Sequence, residues 1–167
     1  FDRTDDARRI HFMSGMAALR RRDREEASYL ELAEFLIQNG SRVGPDLAEL
    51  WRRIVFNMCV SNCDDHLRNH GFLLQDGGWR LAPAYDVNPV EQPRGLSLLV
   101  SDADNAQDLG LACEVADYFR VNTAQAKRIM DAVVPAVRSW REVAQAAGVS
   151  KREQDEMAPA FALADAD

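Results

Sequence analysis

The segment SNCDDHLRNH, residues 61–70, concentrates side chains that can bind metal ions or move protons. It contains adjacent carboxylates at Asp64 and Asp65, two histidines, an arginine and two asparagines. A solvated loop after a helix is the ordinary explanation, because Asn and Asp satisfy free backbone groups there. Apolar runs stand directly before and after this stretch, so we expect the fold to hold it against a packed scaffold.

A second short acidic motif, APAYDVNP, follows at residues 82–89. The Asp-Gly and Gly-Gly steps between the two motifs are typical of a β-hairpin, which would bring Asp86 back beside the first loop. Oxygen ligands from Asp64 or Asp65, from Asn69 and from Asp86 would suit Mg²⁺ or Mn²⁺ better than zinc.

Asp64 and Asn69 have the spacing D-x-x-x-x-N. Protein kinases use an Asp to accept or orient the hydroxyl proton, an Asn five positions later as a metal ligand, and another Asp after a hairpin. The spacing alone often arises by chance. Together with the predicted hairpin and Asp86 it favours phosphoryl transfer.

The elements that would position these residues are mostly helical. Apolar periodicity predicts a mainly α fold with a small β-hairpin, after an extended segment that runs into loop. We expect helices over residues 29–38, 45–60, 109–119, 123–146 (with Pro135 as a kink or break) and 150–163, strands near 71–75 and 79–82, and a loop over 87–108.

Composition narrows the classes of function. A net charge of -7 argues against wrapping a polyanion, so we expect no direct nucleic-acid binding by this chain alone. The 3 cysteines form no C-x-x-C pair, and no apolar run approaches the roughly 20 residues that span a bilayer. We therefore expect a single domain over residues 1–167, in the cytoplasm and without a membrane segment.

Two ordered blocks, FNMCVSNCDDHLRNHGFLL and GWRLAPAYDVNP, resemble the signature of the HipA family, the kinase-like toxins of bacterial type II toxin–antitoxin systems. FDR, RRIHFMSGMAAL and the C-terminal helices extend the resemblance over most of the chain. It implies the C-terminal, helical lobe of a protein-kinase-like fold that uses ATP and Mg²⁺ to phosphorylate a protein Ser/Thr hydroxyl, with a DNA-binding antitoxin as partner.

By position, Asp64 resembles the family's catalytic Asp, Asn69 its metal-binding Asn and Asp86 its metal-binding Asp. Asp64 would also take part in nucleotide binding. His66 and Arg68 match the residues that the family places between the Asp and the Asn. Arg68 would contact the γ-phosphate or be an exposed loop charge, and His66 would hold the loop by hydrogen bonds or touch nucleotide.

The sequence departs from a complete kinase in two respects. It has no G-x-G-x-x-G loop, and its lysines, Lys127 and Lys151, lie in the late helices. We expect the N-terminal lobe to be absent from this chain, with Phe1 near the hinge, and the isolated chain to be inactive. Two alternatives remain: a catalytically silent pseudokinase that binds an antitoxin, and a small-molecule kinase.

Overall fold

The computed structural model describes residues 2–92 and 94–166, so the expectation about Phe1 lies outside the described residues. The α-helices and strands are, in chain order, β1 (Phe12–Ser14), α1 (Gly15–Ala18), α2 (Tyr29–Asn39), α3 (Val43–Cys59), β2 (Gly71–Gln75), β3 (Gly78–Leu81), α4 (Leu109–Glu114), α5 (Thr123–Arg138), α6 (Trp140–Ala146), α7 (Lys151–Met157) and α8 (Ala162–Asp165). Single 3-10 turns lie at Leu67–Asn69, Ala116–Phe119 and Ala158–Phe161. The mainly α fold with a small β element is confirmed.

Helix α3 lies at the centre of the core and packs against α2, α4, α5 and α8. Its apolar residues recur at helical spacing, so Leu47, Trp51 and Ile54 are fully buried. The Trp51 indole N–H donates to the Ala112 carbonyl at 2.8 Å, which ties α3 to α4. This helix ends at the start of the polar segment, so the core fixes the point where that segment begins.

The two strands predicted for the hairpin are present as β2 and β3, and β1 adds a third antiparallel strand in the order β1-β2-β3. Leu73 pairs with both Phe12 and Arg80 across the sheet. The hairpin turn places Asp76 at φ 54° and Gly77 at φ 78°, the left-handed values that a two-residue turn of this kind requires. Strand β1 is only 3 residues long, too short to show a period in the sequence.

The ends of the late helices differ from prediction. Helix α5 continues through Pro135 to Arg138, and the break comes at Ser139, because one missing N–H does not outweigh the burial of Val133 and Val137. The helix predicted over 109–119 stops at Glu114 and tightens into a 3-10 turn that ends at the left-handed Arg120. The segment predicted as one helix over 150–163 is divided into α7, a 3-10 turn containing Pro159, and α8.

Helices α5 and α7 begin after the N-caps Asn122 and Ser150, and both have capping boxes, with Gln125 and Glu153 respectively. Of the 3 tryptophans, Trp51 and Trp140 are buried, and Trp79 is half-buried against the core. Within residues 2–92 and 94–166, every helix is too short or too polar to cross a bilayer.

Candidate functional site

The polar segment connects the end of α3 to the start of β2. Ser61 turns the chain with a φ of 48°, and the Asn62 N–H donates to the Asn57 carbonyl at 2.8 Å. A later residue, Val90, donates its N–H to the Ser61 carbonyl at 3.2 Å. The segment is therefore fastened to the last turn of α3 and to the stretch that follows the second motif.

The two sequence motifs meet at Asn69. Its side-chain Nδ2 lies 3.4 Å from the Asp64 carbonyl and 3.4 Å from the Asp86 carbonyl. Tyr85 adds a second link, because its hydroxyl donates to the Arg68 carbonyl at 2.8 Å. The β2–β3 hairpin thus returns the chain so that one asparagine side chain contacts both loops.

The carboxylates of Asp64 and Asp86 face solvent, whereas Asn69 is only 6% exposed. Asp86 has a φ of 55°, an uncommon conformation for a residue with a side chain, and its Oδ1 accepts from Asn88 Nδ2 at 2.9 Å. Such backbone outliers cluster at functional sites. The structure therefore brings together Asp64, Asn69 and Asp86, with both carboxylates open to solvent.

His66 and Arg68 lie in the same loop, between Asp64 and Asn69. The His66 carbonyl accepts the Asn69 N–H at 2.8 Å, and its half-buried ring has a buried Nδ1 with no hydrogen-bond partner among the described residues. The exposed Arg68 guanidinium forms an ion pair with Asp23. His66, Arg68 and Asp23 line an open groove of about 630 Å³ beside the loop.

Asp65 points into the protein and is 3% exposed. One of its oxygens, Oδ2, accepts hydrogen bonds from the Tyr29 hydroxyl, from Asn57 Nδ2 at 2.8 Å and from His70 Nε2 at 2.9 Å. The ring of Tyr29 also meets that of His70 edge-on, with centroids 5.7 Å apart. We call Tyr29, Asn57, Asp65 and His70 the buried cluster.

Burial raises the pKa of Tyr29 well above its ordinary value, and the negative charge of Asp65 raises it further. The phenol therefore stays protonated through the neutral range and remains a hydrogen-bond donor to Asp65. From the sequence, Asp65 was an alternative to Asp64 as a metal ligand, but its oxygen instead accepts these buried donors. Tyr29 and Asn57 were not predicted, because both fit the periodicity of their helices. The one signal in the sequence was a polar group at a helix position where the apolar pattern predicts a core residue.

A smaller cavity of about 210 Å³ lies between α3 and the Asp86 loop. Phe56, Tyr85 and Val87 supply apolar surface, and Asn69 and His70 line it as well. Burial raises the pKa of Tyr85, so its phenol remains a donor to the Arg68 carbonyl at neutral pH. The cavity therefore reaches the elements that carry both motifs.

The side-chain oxygens of Asp64, Asn69 and Asp86 suit a hard cation that also keeps water or phosphate ligands. Among the described residues, no group of three or more His, Cys, Asp or Glu side chains converges as a metal cage. Asp64, Asn69 and Asp86 instead offer carboxylate and amide oxygens. Mg²⁺ is commonly held by one or two carboxylates while retaining waters and phosphate oxygens, so these residues could hold it together with a nucleotide.

Comparisons with known proteins agree with this fold. In the solved structures, the chain is similar to HipA of Shewanella oneidensis MR-1, determined as a toxin–antitoxin complex with HipB and operator DNA, with 16% identity and a TM-score of 0.71. That match covers 98% of this chain and 45% of the HipA chain, so the sequence spans less than half the length of that protein. At this identity the likeness shows the shared fold. A search of curated protein sequences gives no match.

The family comparison is more direct than the structural one. The model of the HipA-like C-terminal domain matches residues 1–155, which include both polar motifs and helices α1 to α6. The resemblance found in the two sequence blocks is therefore confirmed. The chain belongs to the family of HipA-like C-terminal domains.

Proposed function

We propose that this chain is the catalytic and metal-holding lobe of an ATP-dependent kinase that phosphorylates a Ser or Thr hydroxyl of a protein. The observation that carries the proposal is the position of Asn69, whose amide lies 3.4 Å from the backbone carbonyls of both Asp64 and Asp86. This contact joins the D-x-x-x-x-N motif to the second acidic motif, the combination that protein kinases use for phosphoryl transfer.

In this proposal, the exposed Asp64 carboxylate orients the acceptor hydroxyl and takes its proton. Since Nδ2 of Asn69 is directed at the two carbonyls, its Oδ1 is the atom that would bind Mg²⁺, together with a carboxylate oxygen of Asp86. The bound ion would supply charge neutralisation at the phosphate oxygens. Catalysis would rest on positioning and electrostatics rather than on a covalent intermediate.

Arg68 and His66 have supporting roles. Arg68 would donate to the γ-phosphate after exchanging its ion pair with Asp23, an exchange of low cost because both side chains are mostly exposed, at 51% and 70%. His66 holds the loop through its carbonyl, which accepts the Asn69 N–H at 2.8 Å.

A phosphate-binding loop and an amino-lobe lysine would have to come from outside this sequence, which contains no G-x-G-x-x-G and no lysine before Lys127. The similar HipA chain is more than twice as long, since the match covers 45% of it. HipA is found there with HipB and operator DNA. On the basis of this likeness, we propose that the chain belongs to the toxin of a type II toxin–antitoxin pair with a DNA-binding antitoxin partner.

The test is transfer of ³²P from ATP with Mg²⁺ by the longest native polypeptide that contains these residues. Asp64→Asn and Asp86→Asn are compared with Asp131→Asn, which removes an exposed carboxylate on α5. We expect labelled protein from the wild type and from Asp131→Asn, and a loss of at least about a hundredfold in the other two.

Three results would contradict the proposal. Labelling that survives in Asp64→Asn would exclude that residue as the catalytic base. A wild type that labels nothing while still binding an antitoxin would favour the silent interaction module. Transfer to a sugar or antibiotic hydroxyl in place of protein would identify a small-molecule kinase.

A further inference from the structure

Asp64 and Asn69, the two loop residues with a proposed role in catalysis, are each followed by a buried residue. Asp64 precedes Asp65, which is 3% exposed, and Asn69 precedes His70, which is 2% exposed. The side chains of Asp65 and His70 meet inside the protein, with His70 Nε2 2.9 Å from Asp65 Oδ2. This internal contact therefore joins the positions adjacent to Asp64 and Asn69.

We propose, on the basis of the phosphotransferase function proposed above, that Asp65 and His70 are positioning residues that fix Asp64 and Asn69 relative to each other. Their contact closes the loop from the inside, while the Asn69 amide closes it from the outside through the Asp64 and Asp86 carbonyls. The Asp65–His70 contact and the Asp64–Asn69 contact each join residues 5 positions apart, and they are offset by one residue.

The buried cluster gives this contact a rigid base. Tyr29 is the first residue of α2, and Asn57 lies in the last turn of α3; both donate to the same Asp65 oxygen as His70. The Asn57 Oδ1 in turn accepts from Asn62 Nδ2 at 3.1 Å. Because a buried donor that loses its acceptor is costly, these groups strongly favour one arrangement of the loop.

The direction of the His70 hydrogen bond follows from its surroundings. An ionised carboxylate only accepts, so Nε2 carries the proton that points at Asp65. Nδ1 is buried without a hydrogen-bond partner among the described residues, so the Nε2 contact is the polar contact that holds the ring. His70 therefore acts as a directional donor to Asp65.

The first test measures kcat and the KM for ATP in the longest native polypeptide that contains this chain. Asp65→Leu removes the acceptor of the contact and His70→Phe removes its donor, whereas His70→Gln keeps an N–H donor at the place of Nε2. We expect kcat to fall about 10–100-fold in the first two, with less than about a threefold change in KM, and to recover largely in His70→Gln.

Trp51→Phe is the control for a general loss of stability. It removes a buried hydrogen bond from another face of α3, where the partner is the Ala112 carbonyl, and we expect it to lower the Tm without changing kcat. All measurements are made below the unfolding transition of each variant. If only the volume of His70 mattered, Phe would be tolerated at least as well as Gln, so a kcat ranking of Phe above Gln would overturn the inference. Wild-type kcat in Asp65→Leu would do the same.

A second readout is independent of catalysis. In protein labelled with ¹⁵N-asparagine, the Asn69 side-chain signal is identified by its loss in Asn69→Asp. We expect its amide protons to exchange at least about tenfold faster in His70→Phe and Asp65→Leu, and at the wild-type rate in Trp51→Phe. Unchanged exchange in the first two variants would overturn the positioning role. If the wild type transfers no phosphate, the proposed function fails, and this readout alone decides the positioning role.

Discussion

Replacing Asp46 by alanine is expected to destabilise the protein by about 3 kcal/mol, the lower end of the range for breaking a buried ion pair. Asp46 lies in the first turn of α3, and its side chain is 6% exposed. Its two oxygens accept from Arg80 Nε at 2.9 Å and Nη2 at 3.1 Å, and Oδ2 also accepts the Leu81 N–H at 3.1 Å. The carboxylate thus fastens strand β3, and with it the hairpin that leads to Asp86, to the central helix.

The magnitude follows from what the substitution leaves behind. Arg80 keeps 20% exposure, so part of its charge is rehydrated and the cost stays near the bottom of the range. The Leu81 N–H becomes a buried donor without its acceptor, which contributes about 1–3 kcal/mol of the total. Replacing both Asp46 and Arg80 by leucine removes both charges together, so we expect the double variant to be more stable than Asp46→Ala.

The assay is urea unfolding at pH 7, followed by circular dichroism, at low and at high salt. A drop of about 3 kcal/mol corresponds to a Tm lower by roughly 6–12 °C for a chain of this size. The cost should change little with salt, because a buried pair is poorly screened. A cost below about 1 kcal/mol that vanishes in high salt would mean that the pair behaves as an exposed salt bridge, and the reasoning would be refuted.

Four further perturbations test individual features of the fold. Ser150→Ala removes the N-cap of α7 and should cost about 1 kcal/mol in thermal or urea unfolding; an unchanged midpoint would contradict the cap. The same Ser150 hydrogen bonds lower the pKa of Glu153. The stability that the capping box contributes is therefore fully present above the ordinary Glu pKa and is lost as the pH falls through the lowered value. Fraying of α7 at low pH, followed by NMR, would show this loss. Gly77→Ala should cost about 1–2 kcal/mol because Gly77 has a φ of 78°, although a Cβ there would meet nothing within 4 Å; a neutral effect would show that the hairpin turn has another geometry. Burial raises the pKa of Cys59 to about 11, whereas Cys113 is exposed. Iodoacetamide at pH 8 should therefore modify Cys113 first and Cys59 only after unfolding, an order that mass spectrometry would detect.

Local patterns in the sequence were sufficient for most elements. Helices α2 and α3 and the β2–β3 hairpin follow from apolar periodicity and from the Asp-Gly step, because these signals act over a few residues. Strand β1 could not be read in the same way, since Phe12–Ser14 becomes a strand only by pairing with β2, about 60 positions further along the chain. The break after α5 was also misplaced, because packing carried the helix beyond Pro135.

In the candidate site too, some features follow from local sequence and others only from the tertiary structure. The sequence by itself determined the identity and spacing of Asp64, Asn69 and Asp86, because that chemistry depends on residue type and on a short hairpin. Only the tertiary structure decided that Asp64 faces solvent while Asp65 is buried, and that Tyr29 reaches Asp65 from 36 positions away. The physical reason is that direction and long-range contact arise from packing of the helices and strands, which local spacing does not encode.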